Sequence, residues 1–178
     1  MSEEVRSIIL WLHLAFIAVW IGSQVLTGYA VIPTLRRIES RADRMELLRV
    51  FTRRFGWLAW GALLIVLLTG GALTGERIGT IRDGFDSIYD LRWGWIFAIK
   101  MGLFLVMAGL VALHSFVLGP RLMELNQRAI DQIEGGDRRI RRLQVQSGVV
   151  AGLGMLTSLL VLGCGAFLGN SAFSFVAT

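Results

Sequence analysis

WGWIFAIKMGLFLVMAGLVALHSFVLG, residues Trp93 to Gly119, is the stretch that decides the fold. It exceeds the roughly 20 helical residues that cross about 30 Å of hydrocarbon, and Lys100 is the only charged side chain inside it. Three more runs have this character: Ser7 to Ile32, Phe55 to Gly75 and Leu143 to Gly169. Charged residues bound them, with Arg6 and Arg36 around the first, Arg54 and Glu76 around the second, Arg92 and Arg121 around the third, and Arg142 before the fourth. Nothing else in the 178 residues is able to span. A composition of 54% hydrophobic and 17% charged residues agrees, since a soluble domain carries far more charge. The expected fold is an all-α integral membrane protein: one transmembrane domain over residues 1–178, with spans at about 7–32, 55–75, 93–119 and 143–169, forming an antiparallel four-helix bundle.

The net charge of +5 is accounted for by topology rather than by nucleic acid. The loop between the first two spans holds Arg36, Arg37, Arg41, Arg44, Arg49, Arg53 and Arg54. The loop between the last two holds Arg121, Arg128, Arg138, Arg139, Arg141 and Arg142. The positive-inside rule makes the basic loops 36–54 and 121–142 cytoplasmic and puts both termini outside. The Met-Ser-Glu-Glu start lacks the basic region of a signal peptide, so the first span reads as retained. No internal repeat is evident, and the likeness of the two hairpins reads as topological. Ile38 to Phe55 is a topology-setting turn, with Met45, Leu48 and Phe51 at the spacing of an amphipathic helix as the alternative. The outer loop, Gly79 to Trp95, mixes Ile81, Phe85, Ile88, Tyr89, Trp93 and Trp95 with acids, as an interface belt or a cover over the bundle mouth would.

Few polar side chains lie within the spans, and helical geometry sorts them. Residues seven apart share a face, which lines up His13, Trp20, Gln24 and Thr27 on the first span, Trp93, Lys100, Met107 and His114 on the third, and Thr157, Cys164 and Ser171 on the fourth. Depth then separates them. At about 1.5 Å per residue His13 and Lys100 fall at one level near the outer leaflet, approached by Thr69 and Cys164, while His114 lies roughly 20 Å deeper. His13 and His114 of one chain are therefore not the two axial ligands of one haem.

Lys100 is the only lysine among eighteen basic residues, and no Asp or Glu lies in any span to pair with it. An unpaired ammonium there costs at least about 3 kcal/mol. A neutral amine acting as ligand or proton acceptor, an anionic partner, or snorkelling to the interface would relieve it. His13 offers an imidazole for iron or copper, or equally a hydrogen-bonded packing residue. His114 reads as interfacial. Met107 and Cys164 are soft donors suited to Cu(I), although single residues of this kind on apolar helices usually fill space. With one cysteine the chain forms no intrachain disulfide and holds no CxxC motif.

Several motifs resemble those of the copper-resistance D family of bacterial membrane proteins. They are Leu12-His13-Leu14 with Trp20-Ile21-Gly22, Ile32-Pro33-Thr34-Leu35-Arg36-Arg37, Arg54-Phe55-Gly56-Trp57-Leu58-Ala59-Trp60 leading into Leu68-Thr69-Gly70, Ile99-Lys100-Met101, and Leu113-His114 through Gly119-Pro120-Arg121. The first and third spans are also similar to the HemJ-type protoporphyrinogen oxidases, where the residues matching His13 and Lys100 are associated with b-type haem. The chain lacks that family's arginine-rich Asn-Glu-x-Pro segment, and Pro33 is not followed by Arg-Leu, so porphyrinogen oxidation does not carry over. The resemblance implies a four-helix bundle with a haem or copper site near the outer leaflet.

Three functions fit these residues. The first is a b-type haem-binding or redox protein, with His13 as ligand, Lys100 as second ligand or propionate partner, and Trp20 and Trp93 packed nearby. The second is copper transport or resistance using His13, Lys100, Met107, His114 and Cys164. The third is a non-catalytic small subunit of a larger membrane complex, its glycine-rich fourth span serving as a helix interface. Lipid is the expected surrounding partner, with a redox partner or a homo-oligomer compatible with the first and third readings. No catalytic constellation or nucleotide loop can be placed on the spans, and whether the chain is an enzyme is left open.

Overall fold

Each apolar run becomes a helix that outlasts it in the computed structural model, which describes residues 1–82, 87–131 and 137–176. Helix α1 (Glu3–Leu26) starts at Ser2, whose hydroxyl oxygen accepts the Val5 N–H, with Glu3 and Glu4 in the first turn where the helix dipole favours acids. A π-helical turn, Thr27–Val31, leads into α2 (Ile32–Leu35). Helix α3 (Arg41–Arg82) is unbroken through both the arginine-rich stretch and the second apolar run. Arg, Leu, Met and Glu favour helix and no proline intervenes. From Arg41 the 38–55 segment is therefore helix rather than a turn, with Met45 buried and Leu48 and Phe51 half-buried along one face, as the amphipathic spacing predicts. It is the basic end of the second span.

The third span comprises α4 (Arg92–Ala112), a π-helical turn at Leu113–Leu118, and α5 (Gly119–Ile130). The fourth is α6 (Asp137–Gly169), followed by the short α7 (Ser171–Ser174). Four helices are long and apolar enough to cross a membrane, and no strand occurs among the described residues. Trp11, Tyr29, Trp57, Leu105 and Phe116 point outward while Ser147 and Ser158 are buried, the inside-out polarity that lipid selects. The chain is an all-α membrane four-helix bundle.

α1 packs mainly on α3 and α4 mainly on α6, so the bundle is a pair of hairpins. Their likeness goes beyond topology. Each π turn ends two residues before a proline, Pro33 or Pro120. Proline has no N–H and its ring crowds the carbonyl four residues back, and the wider turn accommodates it: Ile32 N–H reaches Thr27 O and Gly119 N–H reaches His114 O. His13 stands twenty residues before Pro33, and Lys100 twenty before Pro120. Trp20 and Met107, thirteen before those prolines, meet with Leu63 in one core cluster. Side-chain identity hides this correspondence, because the paired positions carry different residues.

Both chain ends lie at the end of the bundle opposite the arginine-rich loops. There the Met1 amine and Arg6 pair with Glu76 at 3.9 and 3.6 Å, and Arg92 N–H donates to Val176 O at 3.1 Å. Ile81, Leu91 and Trp93 form a second buried cluster with Ile88 and Phe175 against it. A 3-10 turn at Ile88–Asp90 crosses the start of α4 so closely that a side chain at Gly94 would run into the Ile88 carbonyl. Tyr89 and Trp95, in contrast, face outward and meet edge to face. Between the second and third spans the described residues thus present a buried side and an outward aromatic one, while Asp83, Phe85 and Asp86 lie outside the described residues.

Candidate functional site

Trp93, Lys100, Met107 and His114 mark four layers down the third span, about 10 Å apart at seven residues each. The Lys100 layer holds the site. In the first hairpin, His13 Nδ1 lies 2.9 Å from Thr69 Oγ1. The Thr69 hydroxyl donates its single hydrogen to the Ile65 carbonyl at 2.6 Å. With its hydrogen on Ile65, the hydroxyl oxygen can accept from His13 Nδ1–H, the tautomer in which Nε2 keeps its lone pair. Gly70 supplies the seat for the ring. A Cβ there would stand 3.0 Å from His13 Cε1, so any larger residue would push the imidazole away.

In the second hairpin Lys100 reaches across to α6. Its Nζ would be 3.7 Å from a Cβ on Gly165, and it is within electrostatic reach of Cys164 and of His13. Among the described residues no acceptor or carboxylate pairs with Nζ. The sequence-level depth arithmetic thus corresponds to a real layer of His13, Thr69, Lys100 and Cys164.

The other candidates lie apart. Trp93 is one layer toward the chain ends, stacked on Phe97 at 5.1 Å. One layer the other way, Trp20 and Met107 pack with Leu63, and Met107 is 3% exposed. There Trp20 Nε1–H and Gln24 Nε2–H both donate to Ser158 Oγ, at 3.1 and 3.3 Å, and Ser158 donates to its own Gly154 carbonyl at 2.8 Å. Ser158 thus ties α1 to α6 through the two bonds it accepts. Sequence spacing pointed instead to Thr157, which bonds back to its own helix. His114 lies in the π turn, its Nδ1 3.3 Å from the buried Ser147 Oγ, a partner the sequence reading missed. No group of three or more His, Cys, Asp or Glu forms a metal cage among the described residues.

Comparison with known proteins gives one informative result. Residues 49–164 match the family model CopD, copper resistance protein D. No curated protein and no solved structure matches. The match includes Thr69, Lys100, Met107, His114 and Cys164, and leaves α1, with His13 and Trp20, outside it. It covers more than half of the chain, which therefore belongs to the copper resistance protein D family. Haem binding gains no support from this match.

Proposed function

We propose that this copper resistance protein D family member handles copper as its cargo within a bacterial inner membrane, with His13 Nε2 as the donor that meets the ion. The observation that carries the reading is the Thr69 hydrogen bond, which engages His13 through Nδ1 and suits Nε2 as the nitrogen that meets a metal. Imidazole and thiol suit copper, and Cys164 lies beside the same layer. Three or more converging donors hold a resident ion; a single oriented histidine suits an ion that arrives and leaves. The cationic Lys100 next to it raises the cost of a lingering positive ion.

The arginine asymmetry orients the protein with loops 36–54 and 121–142 in the cytoplasm, which sets the His13 layer toward the outer leaflet. Copper would then enter from the outer face, past the Trp93 and Phe175 cover.

Copper titration of the purified protein in detergent, with Cu(I) under reducing conditions, tests the reading. His13→Ala is expected to weaken binding by about a hundredfold with the helical content unchanged, and to abolish any copper phenotype the intact gene confers. Equal copper binding by His13→Ala and the unaltered protein overturns the assignment. A Soret band in the unaltered protein would replace copper by haem.

A further inference from the structure

The arginine-rich end carries a feature that topology leaves unexplained. A cavity of about 560 Å³ opens between α2, α3, α5 and α6, within the size range of small-molecule sites. Arg36 at the end of α2, Arg41 and Arg44 on α3 and Arg141 on α6 line it, and no acidic residue lines it among those described. The nearby Glu124 is engaged with Arg128 at 2.7 Å. The rest of the lining is mostly apolar, with Met45 and Ile140 buried beside Asn126, whose amide donates to the Leu122 carbonyl at 2.8 Å. The positive-inside rule accounts for the number of arginines in these loops. It does not account for arginines from three helices lining one hollow together with buried apolar side chains.

We propose that this vestibule binds one anionic phospholipid from the surrounding leaflet. The phosphate sits among Arg36, Arg44 and Arg141, whose planar forks match phosphate oxygens, and the upper acyl chain lies over Met45 and Ile140. A free inorganic anion would satisfy the arginines and leave the apolar lining uncovered, which is why the lipid is the better occupant. Basic pockets between membrane helices recognise anionic headgroups in this way. The site is separate from the His13 layer and does not depend on the copper reading.

Native mass spectrometry of the full chain in detergent tests this with phosphatidylglycerol, with phosphatidylcholine of the same chains, and with inorganic phosphate. One phosphatidylglycerol per chain is expected to be retained in preference to phosphatidylcholine and not displaced by millimolar phosphate. Arg44→Gln with Arg141→Gln is expected to weaken retention by about thirtyfold, whereas Arg53→Gln with Arg54→Gln, removing the same charge outside the cavity, changes it by less than about twofold. Equal weakening by the two pairs overturns the proposal in favour of a diffuse basic belt. Displacement by phosphate overturns it in favour of a free-anion site. If the first pair fails to fold, Arg141→Gln alone, an exposed side chain, gives the same comparison.

Discussion

The first hairpin sets a histidine against Thr69 and Gly70, and the second sets a lysine against Gly165 beside Cys164. Around this difference the frames agree: the same distance to a proline, a π turn before it, a glycine under the functional side chain, and a core residue seven positions on. The frame is therefore structural, and the chemistry is concentrated where the halves diverge. One half presents a neutral donor oriented by a hydrogen bond. The other presents a cation with no hydrogen-bond partner among the described residues. The family match, residues 49–164, covers Lys100 and the Thr69–Gly70 seat of the imidazole but not α1.

Substitutions that erase one side of this contrast should have graded effects. The largest is expected from Lys100→Met, which removes the unpaired cation and should raise stability by about 3 kcal/mol if the ammonium stays within hydrocarbon. Thermal unfolding in detergent reads it, and an unchanged midpoint would mean that the amine already reaches the interface. Thr69→Val leaves His13 in place but without its acceptor. It should weaken Cu(I) binding by about tenfold, a smaller loss than that of His13→Ala, with helicity intact. The smallest effect is expected from Ser158→Ala, which cuts the bonds from Trp20 and Gln24 that join the hairpins. It should cost about 1 kcal/mol and leave copper binding as it was. A loss of copper binding there would show that the site depends on how the hairpins are docked, not only on the contents of its own layer.

Much of the architecture is local enough to read in the chain. The four spans follow from run length and flanking charge, and the shared level of His13 and Lys100 from helical rise alone. What escapes is decided by contact between distant segments. The continuity of α3 through Arg53 and Arg54 depends on how the charged stretch packs, with Met45 buried at its far end. The π turns leave only a proline as their trace. Ser158 in place of Thr157 is a phase difference of one residue that spacing does not resolve. Gly70 is visible as part of a motif, yet its role as the seat of an imidazole becomes apparent only when the ring is placed on it.

The unbroken α3 has a spatial consequence. At 42 residues it is about 63 Å long, twice the hydrocarbon thickness. Glu76 near one end is clamped by the Met1 amine and Arg6, and Arg44 near the other borders the basic vestibule. One continuous helix thus carries Arg44 of the vestibule, Thr69 of the His13 layer about two-thirds of the way along, and the Glu76 that pairs with Met1 and Arg6.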